Sequence, residues 1–410
     1  MFNPPTPKVL VSIFVTLIFW GFLLTILSFH DEISEMDPSY PTDFTMYLTG
    51  AKMFRDGKTN KLYDIEEQKM YRESVLPSDG ITGILAFRTP PITAALYSLL
   101  PLHDYKTAFW VNGLINIALI IVSISLLTKN FNSFLEMSFL AVFNIAVLTT
   151  LVNGQITGLI LLILVFEYIL LKKEKSVLAG IFGALLFVKP HFLILIPFFL
   201  LLNNSDSKKI KYLISFAITM LIILIFNTAL YGTNFIPDYI QYVLSSEGIE
   251  YGTRISSNIN ITSLVDFLSG GVNRQTLATA LSFAAYILLF GYFLKYTSKL
   301  EERFALSILI IPLVNIHTLH SDLLVWLIPL AYFLTEPKFK ARIWKPMIIL
   351  LFVLIPNLSY WEKEWFVALC MLVFSVYLLI KLRSDFRAGE KPQSSFLVEM
   401  GGIEPPCRDL

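Results

Sequence analysis

Charge and cysteine are both scarce in this sequence. Only 15% of its 410 residues are charged, and two are cysteine. Soluble domains carry about a quarter charged residues, so an ordinary soluble globule is excluded. Cys370 and Cys407 give neither a disulfide framework nor a zinc spacing. A net charge of +1 leaves no global basic field, so no nucleic-acid partner is expected. The N-terminus lacks a small-residue cleavage site after its apolar run, which predicts a retained first helix.

What is abundant is apolar surface, with 55% hydrophobic residues and a mean hydropathy of +0.65. The runs Val9 to Phe29, Tyr105 to Leu127, Tyr212 to Leu230 and Leu277 to Leu294 are nearly free of charge. Each approaches the ~20 residues a helix needs to cross a bilayer. The alternating ~10-residue pattern of a membrane strand is missing. Lysine and arginine gather in short clusters: 172–175, 208–211, 295–303, 338–345 and 381–387, with Lys8 near the start. Taken as cytoplasmic, these clusters force the threading. Residues 9–29, 105–128, 134–151, 156–171, 177–188, 190–202, 210–230, 275–295, 304–316, 321–335, 343–358 and 362–382 become crossing pieces. The expected class is all-α, a polytopic transmembrane helix bundle of about twelve pieces, some short or broken, with both termini cytoplasmic. Broken pieces need burial or a watery cavity, so the breaks at Lys189-Pro190 and at His317 to Asp322 are candidate cavity walls.

Residues 1–388 form one predicted domain with two external segments, 30–104 and 231–274. In the first, Phe44, Tyr47, Leu48, Ala51, Met53 and Phe54 recur at helical spacing, as do Ile65, Met70, Tyr71 and Val75. Two amphipathic helices on the outer surface are predicted, followed by an apolar re-entrant piece at 92–102. The second segment is rich in glycine, serine and asparagine and reads as a loop. The polar tail, 389–410, adds no core and reads as disordered or spurious.

Ionisable groups at membrane depth are costly and point to function. Lys189 follows an apolar run and precedes Pro190. It reads either as a phosphate-binding cation or as a lysine that snorkels or pairs with a carboxylate from another helix. Asn153-Gly154-Gln155 reads as a tight turn or as a polar contact to a ligand. His317, His320 and Asp322 could hydrogen-bond a helix turn, contact a substrate hydroxyl or phosphate, or hold a metal, although no fourth ligand accompanies them. Asp43 is a helix cap or a base. With Arg88, all of these fall at the outer face of the threading, where they suggest a base working beside a phosphate site.

The residues Asp43-Phe44, Tyr47, Leu62-Tyr63-Asp64, Gln68, Phe87-Arg88-Thr89-Pro90-Pro91, Asn153-Gly154-Gln155, Lys189-Pro190 and His317 to Asp322 carry a resemblance in order and spacing. The chain resembles glycosyltransferase family 87, membrane transferases of GT-C fold similar to polyprenyl-phosphate mannosyltransferases. Thr89 stands where that family usually has tyrosine. The resemblance implies an inverting hexosyltransferase of the plasma membrane with an extracytoplasmic site. Its donor would be a polyprenyl-phosphate sugar, mannose or another hexose, and its acceptor a glycolipid or cell-wall glycan among membrane lipids. No metal or other cofactor is implied, since a sugar phosphate already carries a good leaving group. Asp43 would be the general base, with His317 and His320 near the reaction centre. Arg88, Asn153, Gln155, Lys189 and Asp322 would contact the donor. The alternative is a lipid or sugar transporter, which also uses broken helices but places its site near the midplane.

Overall fold

The computed structural model describes residues 43–75, 85–128, 130–203, 205–244, 258–269, 275–296, 299–315, 317–335, 352–353, 357 and 364–389. Regular structure among them is helical throughout. The predicted first span, the acids Asp31 to Asp37, most of the piece 343–358 and the tail beyond 389 lie outside the described residues.

Helix α1 (Asp43–Arg55), a short turn and α2 (Ile65–Val75) occupy the first external segment, where two helices are predicted. Their setting differs from the expectation. α1 is buried on nearly every side, from Phe44 to Ala51, and does not rest one apolar face on a bilayer. The rings of Tyr105 and Phe109 close on Phe44 at 5.5 and 5.3 Å. Tyr47 stacks on Tyr97 at 4.4 Å. Helix α3 (Pro91–Tyr97) follows, started by a proline whose missing N–H costs nothing there.

Among the described residues, two helices are each long and apolar enough to cross a membrane: α4 (Tyr105–Leu127) and, later in the chain, Asp206–Tyr231. Asp104 caps α4 by accepting from the Thr107 amide at 2.8 Å. Leu114, Ile115, Ile121, Val122 and Leu126 stand exposed, while Asn112, Gly113, Asn116 and Ser123 are buried. That is the membrane pattern, with small and polar residues facing protein and large apolar ones facing lipid. Next come α5 (Phe131–Val142) and α6 (Ile145–Val152), one apolar stretch bent by 66°. The bend frees backbone groups, and two asparagines satisfy them. Asn144 accepts from the Ala146 amide at 2.8 Å, while Asn357 accepts from Ile145 N and donates to Phe143 O.

Helices α7 (Thr157–Lys172) and α8 (Ser176–Leu185) follow and pack on each other, α8 ending in a tighter turn before Lys189. Lys189 precedes a proline and is driven out of helical conformation, at φ −134° and ψ 82°. A 3-10 stretch, Pro190–Leu195, and α9 (Ile196–Leu202) follow. Helix α10 (Asp206–Tyr231) packs on α8 at Gly180, where a side chain would collide with Ser215 and the Tyr212 carbonyl. The remaining helices are α11 (Phe235–Leu244), α12 (Ile261–Leu268), α13 (Gln275–Tyr296), α14 (Leu300–Val314), α15 (Leu327–Thr335) and α16 (Glu364–Gly389). Two of them, α11 and α12, correct the reading of 231–274 as a loop. Asn260 starts α12 by accepting from the amides of Thr262 and Ser263.

Candidate functional site

The first carboxylate of α1 meets the turn between α6 and α7. Asn153 ends α6, and Gly154 adopts φ +61°, a left-handed conformation that side chains disfavour. A Cβ at Gly154 would also sit 2.5 Å from Phe44. Glycine therefore lets the turn close on the residue next to Asp43, and Tyr97 fixes the turn by donating to the Gly154 carbonyl at 2.9 Å.

Gln155 then joins four elements. Its Nε2 donates to Asp43 Oδ2 at 2.5 Å. Its Oε1 accepts from the Tyr47 hydroxyl at 3.1 Å and from Lys189 Nζ at 3.3 Å. Two donors on the oxygen settle the orientation of the amide, so its N–H must face the carboxylate. Lys189 also donates to Thr157 Oγ1 at 3.1 Å and pairs with Asp322. Asp322 in turn accepts from the Leu319 amide at 2.9 Å and lies 3.6 Å from His191 Nε2. The His317 ring stands 5.9 Å from that of His191.

Of the residues read from the sequence, Asp43, Gln155, Lys189, Asp322 and His317 thus come together. Asn153 and His320 adjoin the network in the chain, one ending α6 and the other opening the 3-10 stretch His320–Trp326. Lys189 follows the reading in which a carboxylate from another element pairs with it. Its three donors meet Asp322, Gln155 and Thr157, which leaves none for a phosphate oxygen in this arrangement. Asp322 is likewise committed, and it is 1% exposed. Among the described residues no group of three or more His, Cys, Asp or Glu side chains is placed to hold a metal ion.

Three members of the network were given no site role from the sequence: Tyr47, Thr157 and His191. Tyr47 lies four residues after Asp43, on the same helix face. Thr157 is a hydroxyl at the start of an apolar helix, and His191 follows the Lys189-Pro190 break.

Arg88 reaches the site from a segment anchored on both sides. Phe87 N donates to Gln68 Oε1 at 2.7 Å, and Tyr63 donates to the Thr89 carbonyl at 3.1 Å. Arg88 lies near the Asp43 carboxylate and the hydroxyls of Tyr47, Tyr239 and Tyr242. Burial pushes the Asp43 carboxyl above its ordinary value. The Gln155 hydrogen bond and the Lys189 charge offset part of that rise, Asp322 adds to it, and Arg88 lowers it slightly. A half-buried carboxylate of raised basicity, held by an amide and facing a cation, suits proton abstraction.

The model of glycosyltransferase family 87 matches residues 87–319, more than half of the chain. The chain belongs to glycosyltransferase family 87. A search among curated proteins finds no match. The matched stretch holds Arg88, the Asn153-Gly154-Gln155 turn, Lys189 and His317, while His320 and Asp322 lie just after it and Asp43 well before it. In this family-87 glycosyltransferase the network therefore ties the matched stretch to the elements on either side of it.

Proposed function

We propose that this glycosyltransferase moves a hexose, mannose or a similar sugar, from a polyprenyl-phosphate carrier to a hydroxyl acceptor. The reaction takes place at the extracytoplasmic face of the plasma membrane, inverts the sugar and needs no metal. The observation that carries this reading is the Asp43 carboxylate clamped by Gln155, with Arg88 nearby.

The acceptor oxygen attacks the anomeric carbon from the face opposite the phosphate. The bond from carbon to phosphate oxygen breaks, its electron pair leaves with the lipid phosphate, and the acceptor proton passes to Asp43. Gln155 occupies Oδ2, so the proton goes to the other oxygen. Arg88 stabilises the departing phosphate as a preorganised cation, and its guanidinium stays charged at any working pH. Lys189 and Asp322 act as positioning residues that hold Gln155 to the base and so do not contact the donor. His317, His320 and Asn153 line the donor side and bind sugar or phosphate oxygens. The lipid tail lies among the helices, gaining about 0.8 kcal/mol for each methylene removed from water.

Membranes containing the protein, given radiolabelled polyprenyl-phosphate hexoses, should form a lipid- or glycan-linked product. Turnover should survive a strong chelator. A protein that uses only nucleotide sugars, or that carries labelled lipid across the bilayer without cleaving it, would overturn this reading.

A further inference from the structure

Helix α11 follows the long apolar α10 after a turn at Gly232, whose φ of +120° suits glycine. It presents three distinct faces. At about 100° per residue, Phe235, Tyr239 and Tyr242 share the face turned to the protein. Tyr239 and Tyr242 pack there on the Tyr63 ring at 5.4 and 5.5 Å. Ile236, Ile240 and Val243 form a second stripe about 100° round the helix, and they stand 45%, 51% and 37% exposed. Asp238 and Gln241 lie about 160° from that stripe. They border a polar cleft to which Asn60, Lys61, Asp64 and Glu66 also contribute.

An exposed apolar stripe opposite a polar edge, on a helix already seated on the protein by its third face, calls for a non-aqueous neighbour. The chain supplies the setting for one. On α10, Leu221, Ile222, Ile225 and Phe226 are exposed in the turns before Gly232, and α10 is long and apolar enough to cross a membrane. With the 208–211 lysine cluster cytoplasmic, that end of α10 meets the outer leaflet. The apolar surface of α10 is thus followed, past the turn at Gly232, by the stripe on α11. The next helix, α12, ends in the same manner. Phe267 and Leu268 are exposed, and Phe267 stacks at 3.8 Å on Trp365, in the first turn of α16. Tryptophan is enriched at the boundary between lipid and water.

We propose that α11 is an interfacial anchor lying in the outer leaflet, and that its seat sets the depth of Arg88 in the membrane. Ile236, Ile240 and Val243 enter the acyl chains, while Asp238 and Gln241 stay in water. Depth matters because Arg88 must meet a phosphate held at headgroup level. The tyrosines make the connection. Tyr239 and Tyr242 lie near Arg88, and Tyr63, packed on both, donates to the carbonyl of the adjoining Thr89. The seat stands on the exposed stripe alone, and its effect on Arg88 rests on the transferase reading above.

Spin labels on the full chain in proteoliposomes test the seat, with Cys370 and Cys407 replaced by alanine. Labels at Ile236→Cys, Ile240→Cys and Val243→Cys should relax faster with oxygen than with a water-soluble nickel chelate. Their depth should be about 5–10 Å below the phosphates. Labels at Gln241→Cys and Asn60→Cys should prefer the nickel chelate. Preference for nickel along the stripe overturns the proposal. Poor access of both reagents there also overturns it, because a protein partner would then cover the stripe. In turnover assays, Ile240→Glu should raise KM for a polyprenyl-phosphate hexose about tenfold with kcat little changed, the worth of one isoleucine withdrawn from apolar surroundings. Ile240→Leu should leave KM as it is. An unaltered KM in an Ile240→Glu variant that melts like the wild type would break the link to Arg88. Absence of turnover with any polyprenyl-phosphate hexose, beside the expected label pattern, would instead remove the donor reading and leave the membrane seat standing.

Discussion

The two ends of the helix bundle both carry lysine–carboxylate pairs, and they are built differently. At the end where α8 breaks, Lys189 and Asp322 are 8% and 2% exposed, and every donor of the lysine has a partner. At the opposite end, Lys172 meets Glu301 at 3.0 Å and Lys208 meets Glu174 at 2.7 Å, with the four side chains 30–57% exposed. Exposed pairs contribute about 0–1 kcal/mol, because water competes for both charges. A buried pair does not gain much over an apolar replacement, but losing one partner strands the other charge at about 3–5 kcal/mol. Pairing of lysine with a carboxylate is therefore a surface feature at one end and, at the other, a buried contact that holds the Gln155 amide.

The assignment of the two ends to opposite sides of the membrane gives the largest expected contrast. In a cysteine-free background, Asn60→Cys should react with an impermeant thiol reagent added to intact cells, and Lys173→Cys should react only after the membrane is opened. Both positions are exposed in the structure. Labelling of Lys173→Cys from outside would reverse the threading.

Asp43→Asn should lower turnover by roughly 10²–10⁴-fold, the usual worth of a positioned base. It should not lower stability. The folded-state pKa of Asp43 is raised, so the stability this group contributes is lost as pH rises through that value, and asparagine avoids the penalty at neutral pH. Base catalysis needs the ionised form, so the acidic limb of kcat/KM should lie above the ~4 of an ordinary aspartate. A limb at or below that value would remove Asp43 from the mechanism.

Asp322→Leu should cost about 3–5 kcal/mol by leaving Lys189 buried and unpaired, read as a lower melting temperature in detergent. Adding Lys189→Met should restore much of that stability while activity stays low, because Gln155 loses a donor that orients it. Recovery of full activity in the double variant would show that the pair has no positioning role. The smallest effect belongs to the solvated end, where Glu301→Gln should change stability by no more than about 1 kcal/mol and leave kcat unaltered.

Much of the helical framework is legible in the sequence because apolar run length and positive clusters report it directly. Tyr105–Leu127, Asp206–Tyr231 and the break at Lys189 fall where these signals put them. The burial of α1 is less visible. Thr45 and Thr49 suggest a wet face, yet Thr49 satisfies its hydroxyl on the Thr45 carbonyl, 2.9 Å away, and both are buried. The helices within 231–274 were obscured by the glycine, serine and asparagine around them, although Asn260 is a legible cap. The partners of Lys189 were beyond reach, because single-sequence patterns report neighbours along a helix and are silent on contacts between distant segments.

Those distant contacts also bear on how the protein is made. The hydrogen bond from Gln155 to Asp43 spans 112 residues, and the one from Lys189 to Asp322 spans 133. A ribosome delivers Asp43 first and the Lys189 counter-charge, Asp322, last. Until α14 and the turn after it have entered the membrane, Lys189 has no carboxylate and Gln155 no firm hold on Asp43. A half-synthesised chain thus carries Asp43 in an unfinished network, which closes only once the segment holding Asp322 is in place.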